Sequence, residues 1–209
     1  MTTQAEKRVD GRNVRGQNNR RRIVDAMVEL IGRGNLSPSA EEVALAADVG
    51  LRTVFRHFDD MDTLYREISA IKKAELQSTI AAPLDGDTWL ERLENLIDRR
   101  ALVFEKILPY KTAADLRRHR SAFLQSAHDA FVGQQRKSLA VILPAEIARD
   151  PMRLEALHLI LSFETWRRLR TDQRLSVARA RHVVAFAARA LAGEEGALTK
   201  PAQTSRSKR

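Results

Sequence analysis

The sequence predicts an all-α protein, and three observations carry that prediction. Proline and glycine are sparse across the 209 residues, alternation of β-branched residues is absent, and Ala, Leu, Arg and Glu dominate. Helix 1 is expected over about Asn19 to Ile31, where Ile23, Ala26, Met27, Leu30 and Ile31 recur at the spacing of one helix face. Gly32, Gly34 and Asn35 follow it, and each tolerates the left-handed backbone that closes a helix. Ser39 and Glu42 have the form of a capping box opening a helix over Ala40 to Ala47. Asp48, Val49 and Gly50 then read as a short turn into a third helix, Leu51 to Phe58, with Val54, Phe55 and Phe58 facing inward. Asp60 caps a fourth helix over Met61 to Ile80, which Pro83, Asp85 and Gly86 terminate. Further helices are expected at Thr88–Leu108, Thr112–Arg118, Ala122–Leu143, Pro151–Thr171 and Val177–Ala192, with Asp150-Pro151 and Ser176 as strong starts.

Composition narrows the function classes. With 44% hydrophobic and 30% charged residues the chain buries a core, and no apolar run approaches the roughly 18 residues of a membrane span. No apolar N-terminal segment resembles a signal peptide and there is no cysteine, so a cytoplasmic protein without disulfides, zinc fingers or thiolate chemistry is expected. The formal charge of +9 invites a nucleic-acid reading, but its location matters more than its sum. Residues 1–22 hold seven basic and two acidic side chains, whereas residues 1–68 hold eleven of each. The organisation read from these features is a basic flexible arm at 1–18, a helix-turn-helix DNA-binding domain at 19–66, a helical regulatory and dimerisation domain at 67–193 and a disordered tail at 194–209.

A helix-turn-helix needs small or apolar residues where its helices touch, a tight turn, and a second helix whose early residues can read bases. Val43, Ala44, Ala47, Val49 and Val54 meet the first need, and Arg52, Thr53, Arg56 and His57 the last. Arginine forks onto guanine, while Leu51 or the Thr53 methyl can pack on thymine. The segments Glu42-Val43-Ala44, Ala47-Asp48-Val49 and Thr53-Val54-Phe55-Arg56-His57-Phe58, with Leu64, resemble the signature of the tetracycline-repressor (TetR) family. Phe163-Glu164-Thr165-Trp166-Arg167-Arg168-Leu169-Arg170, followed by Leu175-Ser176, is similar to the end of that family's penultimate helix. The resemblance implies a three-helix DNA-binding region, a fourth helix leading into a ligand domain, and a four-helix dimer seam. Three positions depart from the family's pattern. Asp48 stands where the family has Gly, Phe55 where a Tyr hydroxyl contacts a phosphate, and Met61, among Asp59, Asp60 and Asp62, where a Lys opens the fourth helix. Asp tolerates positive φ, so the turn survives the first departure, but the other two weaken phosphate binding, and the basic arm, through Arg12, Arg15 and Arg20 to Arg22, is expected to compensate by reaching backbone or minor groove. A solvated tail is the other reading of the arm.

The expected DNA-contacting set is therefore Ser39, Gly50, Leu51, Arg52, Thr53, Phe55, Arg56, His57, Arg20 and Arg21. For the dimer seam the expected residues are Leu157, Leu161, Val184, Ala188 and Leu191, although the same periodicity fits an intrachain core. Phe104, Phe123, His128 and Phe131 are the candidates for a ligand pocket, with His128 as polar anchor. No cofactor and no membrane is implied. The reading is a homodimeric, sequence-specific regulator of transcription, a repressor released from a palindromic duplex operator by a small apolar effector that favours one spacing of the two reading heads. Its rival is a basic helical protein that associates with DNA or another protein without operator specificity. An enzyme is not expected: Glu155-x-x-His158 is half of a di-metal motif that needs two copies, and no phosphate loop or nucleophile elbow occurs.

Overall fold

A computed structural model describes residues 4–193, with side chains from Arg15 onward. Among the described residues the protein is helical with no strand. The helices are α1 (Gln4–Gly32), α2 (Ala40–Ala46), α3 (Leu51–His57), α4 (Met61–Ala81), α5 (Trp89–Arg117), α6 (Ala122–Ala140), α7 (Ala145–Ala148), α8 (Pro151–Ile160), α9 (Phe163–Arg167) and α10 (Val177–Leu191). A 3₁₀ turn covers Arg118–Arg120 and a π-helical turn Arg168–Asp172. No helix among the described residues is long and apolar enough to cross a membrane.

The chain divides into two compact units, Met1–Ala82 with Glu105–Phe131, and Pro83–Phe104 with Val132–Arg209. The first unit thus extends past the boundary expected at residue 66, for a reason visible in its core. Ile23, Met27 and Ile31 of α1, Val43 and Ala44 of α2, Val54 of α3 and Leu64, Tyr65 and Ile68 of α4 form one buried cluster, which also takes in Ala113 and Leu124. In the second unit Leu93, Ile97, Leu139, Leu157, Leu161 and Phe163 are fully buried, and α8 and α10 are in contact.

Local signals hold where the physics is local. Ser39 caps α2, its Oγ accepting from the Glu42 N–H (3.2 Å) while the Ser39 N–H donates to the Glu42 carboxylate (2.7 Å). That backbone N–H holds the Glu42 carboxyl below the ordinary carboxylate range. Asp60 caps α4 by accepting from the Thr63 N–H at 2.7 Å, and Ser176 caps α10. After α1 the Gly34 N–H returns to the Ile31 carbonyl with φ +100°, where a side chain would be strained.

Three boundaries differ from the sequence reading. α1 begins at Gln4, so residues 4–18 of the expected arm are helical; the stretch has no proline and holds Ala, Glu, Lys and Arg, good helix formers. α5 runs through Pro109, where two helices were expected. Proline costs a helix one N–H, but Tyr110 and Ala113 beyond it pack into the first unit's core, and burial sustains the helix past the proline. Conversely, the helix expected over Pro151–Thr171 breaks at Leu161, because Ser162 adopts an extended conformation and caps α9 through the Thr165 N–H at 3.1 Å. The tail at 194–209 lies outside the described residues.

The turn between α2 and α3 requires a left-handed residue, and Asp48 supplies it at φ +49°. Aspartate tolerates this region better than most residues, and Arg22 of α1 secures it by donating to the Asp48 carbonyl (3.0 Å) and carboxylate (2.8 Å). Asp48→Val should lower stability by about 1–2 kcal/mol in urea melts, since a β-branched residue meets the left-handed penalty in full. Asp48→Gly should change it by less than about 1 kcal/mol, as relief of strain offsets the lost exposed ion pair.

Candidate nucleic-acid interface

The candidate interface is the outer face of α3 with the turn before it. α2 and α3 touch each other, and α1 touches both. Their shared seam is made of Val43, Ala44, Ala47 and Val54, all buried, with Val49 half-buried in the turn. Small residues at Ala44 and Ala47 let the two short helices approach closely, and Val54 and Phe58 anchor α3 from beneath. Of the three residues expected to face inward from this helix, Val54 and Phe58 do so; Phe55 does not, and is 47% exposed. One helical turn separates it from the exposed Leu51, and together they form a small apolar strip on the outside of α3.

Two arginines flank that strip. Arg52 and Arg56 are exposed and make no hydrogen bond or ion pair among the described residues. Their guanidinium groups are available to an external acceptor. Thr53 is half-buried, while Gly50 and Ser39 are exposed. The Ser39 Oγ serves as the α2 cap acceptor, which leaves the hydroxyl proton able to donate outward. Gly50 has an ordinary φ of −71° and a Cβ there would meet nothing within 4 Å, so neither the backbone nor the packing of α3 demands glycine at this position.

The remaining expected contacts divide. Arg21 is exposed, with Asp25 3.8 Å away on the same helix face. Arg20 is half-buried and committed elsewhere. Its Nη1 donates to the His57 carbonyl at 2.6 Å, its Nη2 pairs with Glu67, and its guanidinium lies 4.3 Å from the centre of the Phe58 ring. Arg20 therefore fastens the C-terminal end of α3 to α1 and α4, a bracing role beyond the DNA contact expected of it. Arg22 is engaged at Asp48 in the same way. His57 is displaced from the reading set, because its ring packs beside Gly16 of α1 and its Nε2 is covered without a hydrogen-bond partner. Burial, and then the charges of Arg56 and Arg20, push the imidazole below its ordinary pKa, so it is neutral at pH 7. Arg15 is exposed, and Arg12 lies outside the residues whose side chains are described.

The acidic run is partly neutralised. Asp60 is occupied as the α4 cap, and Asp62 lies 4.0 Å from Arg117. Asp59 remains exposed, and Met61 packs against the first unit's core.

The four pocket candidates are divided between the two units. Phe104 is buried in the second unit, edge-on to Phe163 with ring centres 5.6 Å apart. The other three belong to the first unit. Phe123 packs on its core beneath Arg66, at 4.4 Å, and Phe131 lies 5.6 Å from Lys111 Nζ. His128 Nδ1 is 2.9 Å from the same Lys111 Nζ and 3.6 Å from Asp115. A cavity in the second unit does involve Phe104, together with Ile97, Arg100, Leu161, Trp166 and Val184, but at about 10 Å³ it has room for roughly one water. Sequence reasoning passed over Arg100, whose signal was a charge on the core face of α5, four residues after Leu96, three after Ile97 and four before Phe104.

The expected dimer residues are likewise redirected. Leu157, Leu161, Val184 and Ala188 are buried within the single chain and Leu191 is half-buried, so they form the intrachain core, the alternative that periodicity left open. The outward apolar residues on the same helices are Met152 and Leu159 of α8 and Val183 and Phe186 of α10. The Glu155-x-x-His158 pair is not presented for metal: Glu155 is held by both Nη atoms of Arg136, and the His158 Nε2 is covered.

No protein-family model and no curated protein matches the chain.

The bracing and reading arginines are separable by measurement. Arg20→Ala should lower unfolding stability by about 1–2 kcal/mol, as it loses charge-assisted bonds and a ring contact in a half-exposed setting. Arg52→Ala should leave the unfolding free energy in urea within about 0.5 kcal/mol of the parent.

Proposed function

We propose that this chain is a sequence-specific DNA-binding regulator of transcription that lays α3 in the major groove of an operator. The single observation that carries the reading is the split character of α3. Val54 and Phe58 fix it to a well-packed core, while Arg52, Leu51, Phe55 and Arg56 present two unengaged guanidinium groups and an apolar strip outward. An α-helix is about as wide as the major groove, about 12 Å, and arginine forks together with apolar contacts to thymine methyls are the chemistry that reads base edges there. Arg20 and Arg22 contribute by stiffening the ends of the reading element, so that the contacts are made without ordering α3 at the moment of binding. The likeness of these segments to the TetR signature supports the same reading and suggests repression relieved by a small effector.

In this reading the regulator is a homodimer, because one seven-residue helix contacts too few base pairs for useful specificity and twofold symmetry presents two. The seam consistent with the exposure pattern is the outward apolar face of α8 and α10, with Met152, Leu159, Val183 and Phe186, rather than the residues expected from periodicity.

Selection of bound fragments from random duplex should yield an inverted repeat, preferred over scrambled duplex by at least about 10³-fold at 0.15 M salt. Arg52→Ala should relax base preference at one position in each half-site, at a cost of about 1–3 kcal/mol. Binding that falls uniformly with salt and shows no preferred sequence would instead indicate a basic helical protein without operator specificity. For the assembly, light scattering should give twice the chain mass, and Phe186→Glu, which places a charge in the apolar seam, should shift the protein to monomer with helicity unchanged. A dimer unaffected by Phe186→Glu would place the seam elsewhere.

A further inference from the structure

The second unit contains a buried cation with no anion. Arg100 of α5 is only 6% exposed. Its Nη1 donates to the Leu161 carbonyl (2.8 Å), and its Nη2 donates to the Gln135 carbonyl (2.6 Å) and to Ser138 Oγ (3.0 Å). These partners are neutral dipoles. No carboxylate pairs with the guanidinium and Nε makes no hydrogen bond among the described residues. Burial alone pushes its pKa down, to about 10, so the group is charged at neutral pH. An uncompensated buried charge costs several kcal/mol, and proteins normally meet that cost with a counter-charge.

The surroundings indicate what could supply it. Arg100 is the one charged residue of a cavity otherwise lined by Ser162 and apolar residues, Ile97, Phe104, Trp166 and Val184 among them. One wall includes Leu161 and Ser162, where the helix is broken between α8 and α9 and the chain is held by the Ser162 cap, by the Thr165 hydroxyl on the Leu159 carbonyl and by Arg100 itself on the Leu161 carbonyl. As it stands the cavity takes about one water, so a larger occupant requires this wall to move.

We propose that this cavity is the effector site of the second unit and that its ligand is a small organic acid, with its carboxylate on Arg100 and its apolar body among Ile97, Phe104, Trp166 and Val184. The inference rests on the regulator reading for the word effector, but the site itself does not. Binding replaces a buried unpaired charge with an ion pair. It also competes for the guanidinium with the Leu161 carbonyl, which ties ligand entry to the helix break between α8 and α9.

The test compares acids with their uncharged twins on the full chain at 0.15 M salt. Benzoate, hexanoate and octanoate are titrated against benzamide, hexanamide and octanamide, with chloride exchanged for gluconate as a separate arm. Binding is read by calorimetry and by tryptophan fluorescence. The expected result is saturable binding of at least one acid, about 10- to 100-fold tighter than its amide, the range that a charge-assisted pair commands. Arg100→Met should abolish that preference. If Arg100→Met fails to fold, Arg100→Lys keeps the charge and should keep the preference, and the acid-to-amide ratio of the parent protein stands without any variant. Equal binding of acid and amide, binding of no acid, a response to chloride alone, or an undiminished acid preference in a folded Arg100→Met would each overturn the proposal. Operator selection is run in parallel. Selective duplex binding without acid binding removes this inference and leaves the regulator reading, whereas acid binding without selective duplex binding does the reverse.

Discussion

The close contact of α2 with α3 is the constraint on which the candidate interface depends. Two helices of seven residues each are far too short to be stable alone. They persist because Val43, Ala44, Ala47 and Val54 remove a shared apolar face from water, and because α1 and α4 close the cluster behind them. That burial decides which side of α3 is left outward. Once Val54 and Phe58 point in, the helical repeat obliges Arg52, Phe55 and Arg56 to point out.

The charges of the first unit fall into two groups with different work. Arg20, Arg22 and Arg117 are spent inside the protein, on His57 and Glu67, on Asp48, and on Asp62 and the Tyr65 ring respectively. Arg52 and Arg56 are not spent. The outer face of α3 thus carries two exposed cations, while Arg20, Arg22 and Arg117 hold the frame. The second unit shows the opposite extreme. Arg181 and Arg189 of α10 reach Glu94 and Asp98 of α5 in paired, half-exposed bridges, whereas Arg100, deeper on the same α5, has only carbonyls and a hydroxyl. Partnered and unpartnered arginines on one helix are chemically distinct sites.

Much of the fold was legible along the chain because its cues are local. The Ser39–Glu42 box, the Asp60 and Ser176 caps, the glycines after α1 and the left-handed Asp48 act within four residues of themselves, and each occurs where the sequence placed it. Two boundaries went wrong through competition between cues. Pro109 reads as a breaker, yet burial of Tyr110 and Ala113 carries α5 past it. Ser162 is a capping residue three positions before Thr165, but the apolar period of Pro151–Thr171 ran across it and masked the break.

What the sequence determined by itself was the class of the fold, the paired short helices around Asp48 and the residues of their seam, since helix propensity, capping and period are properties of neighbouring positions. Only the tertiary structure decided how side chains of one type were divided among roles. It sent Arg20 to Glu67 and left Arg52 outside, placed Leu157, Leu161, Val184 and Ala188 in the core rather than at a seam, and assigned Phe104 to the second unit and Phe123, His128 and Phe131 to the first. The reason is physical: whether an apolar face is covered by its own chain, and whether a cation finds an anion, depends on groups tens of residues away, which a local period does not encode.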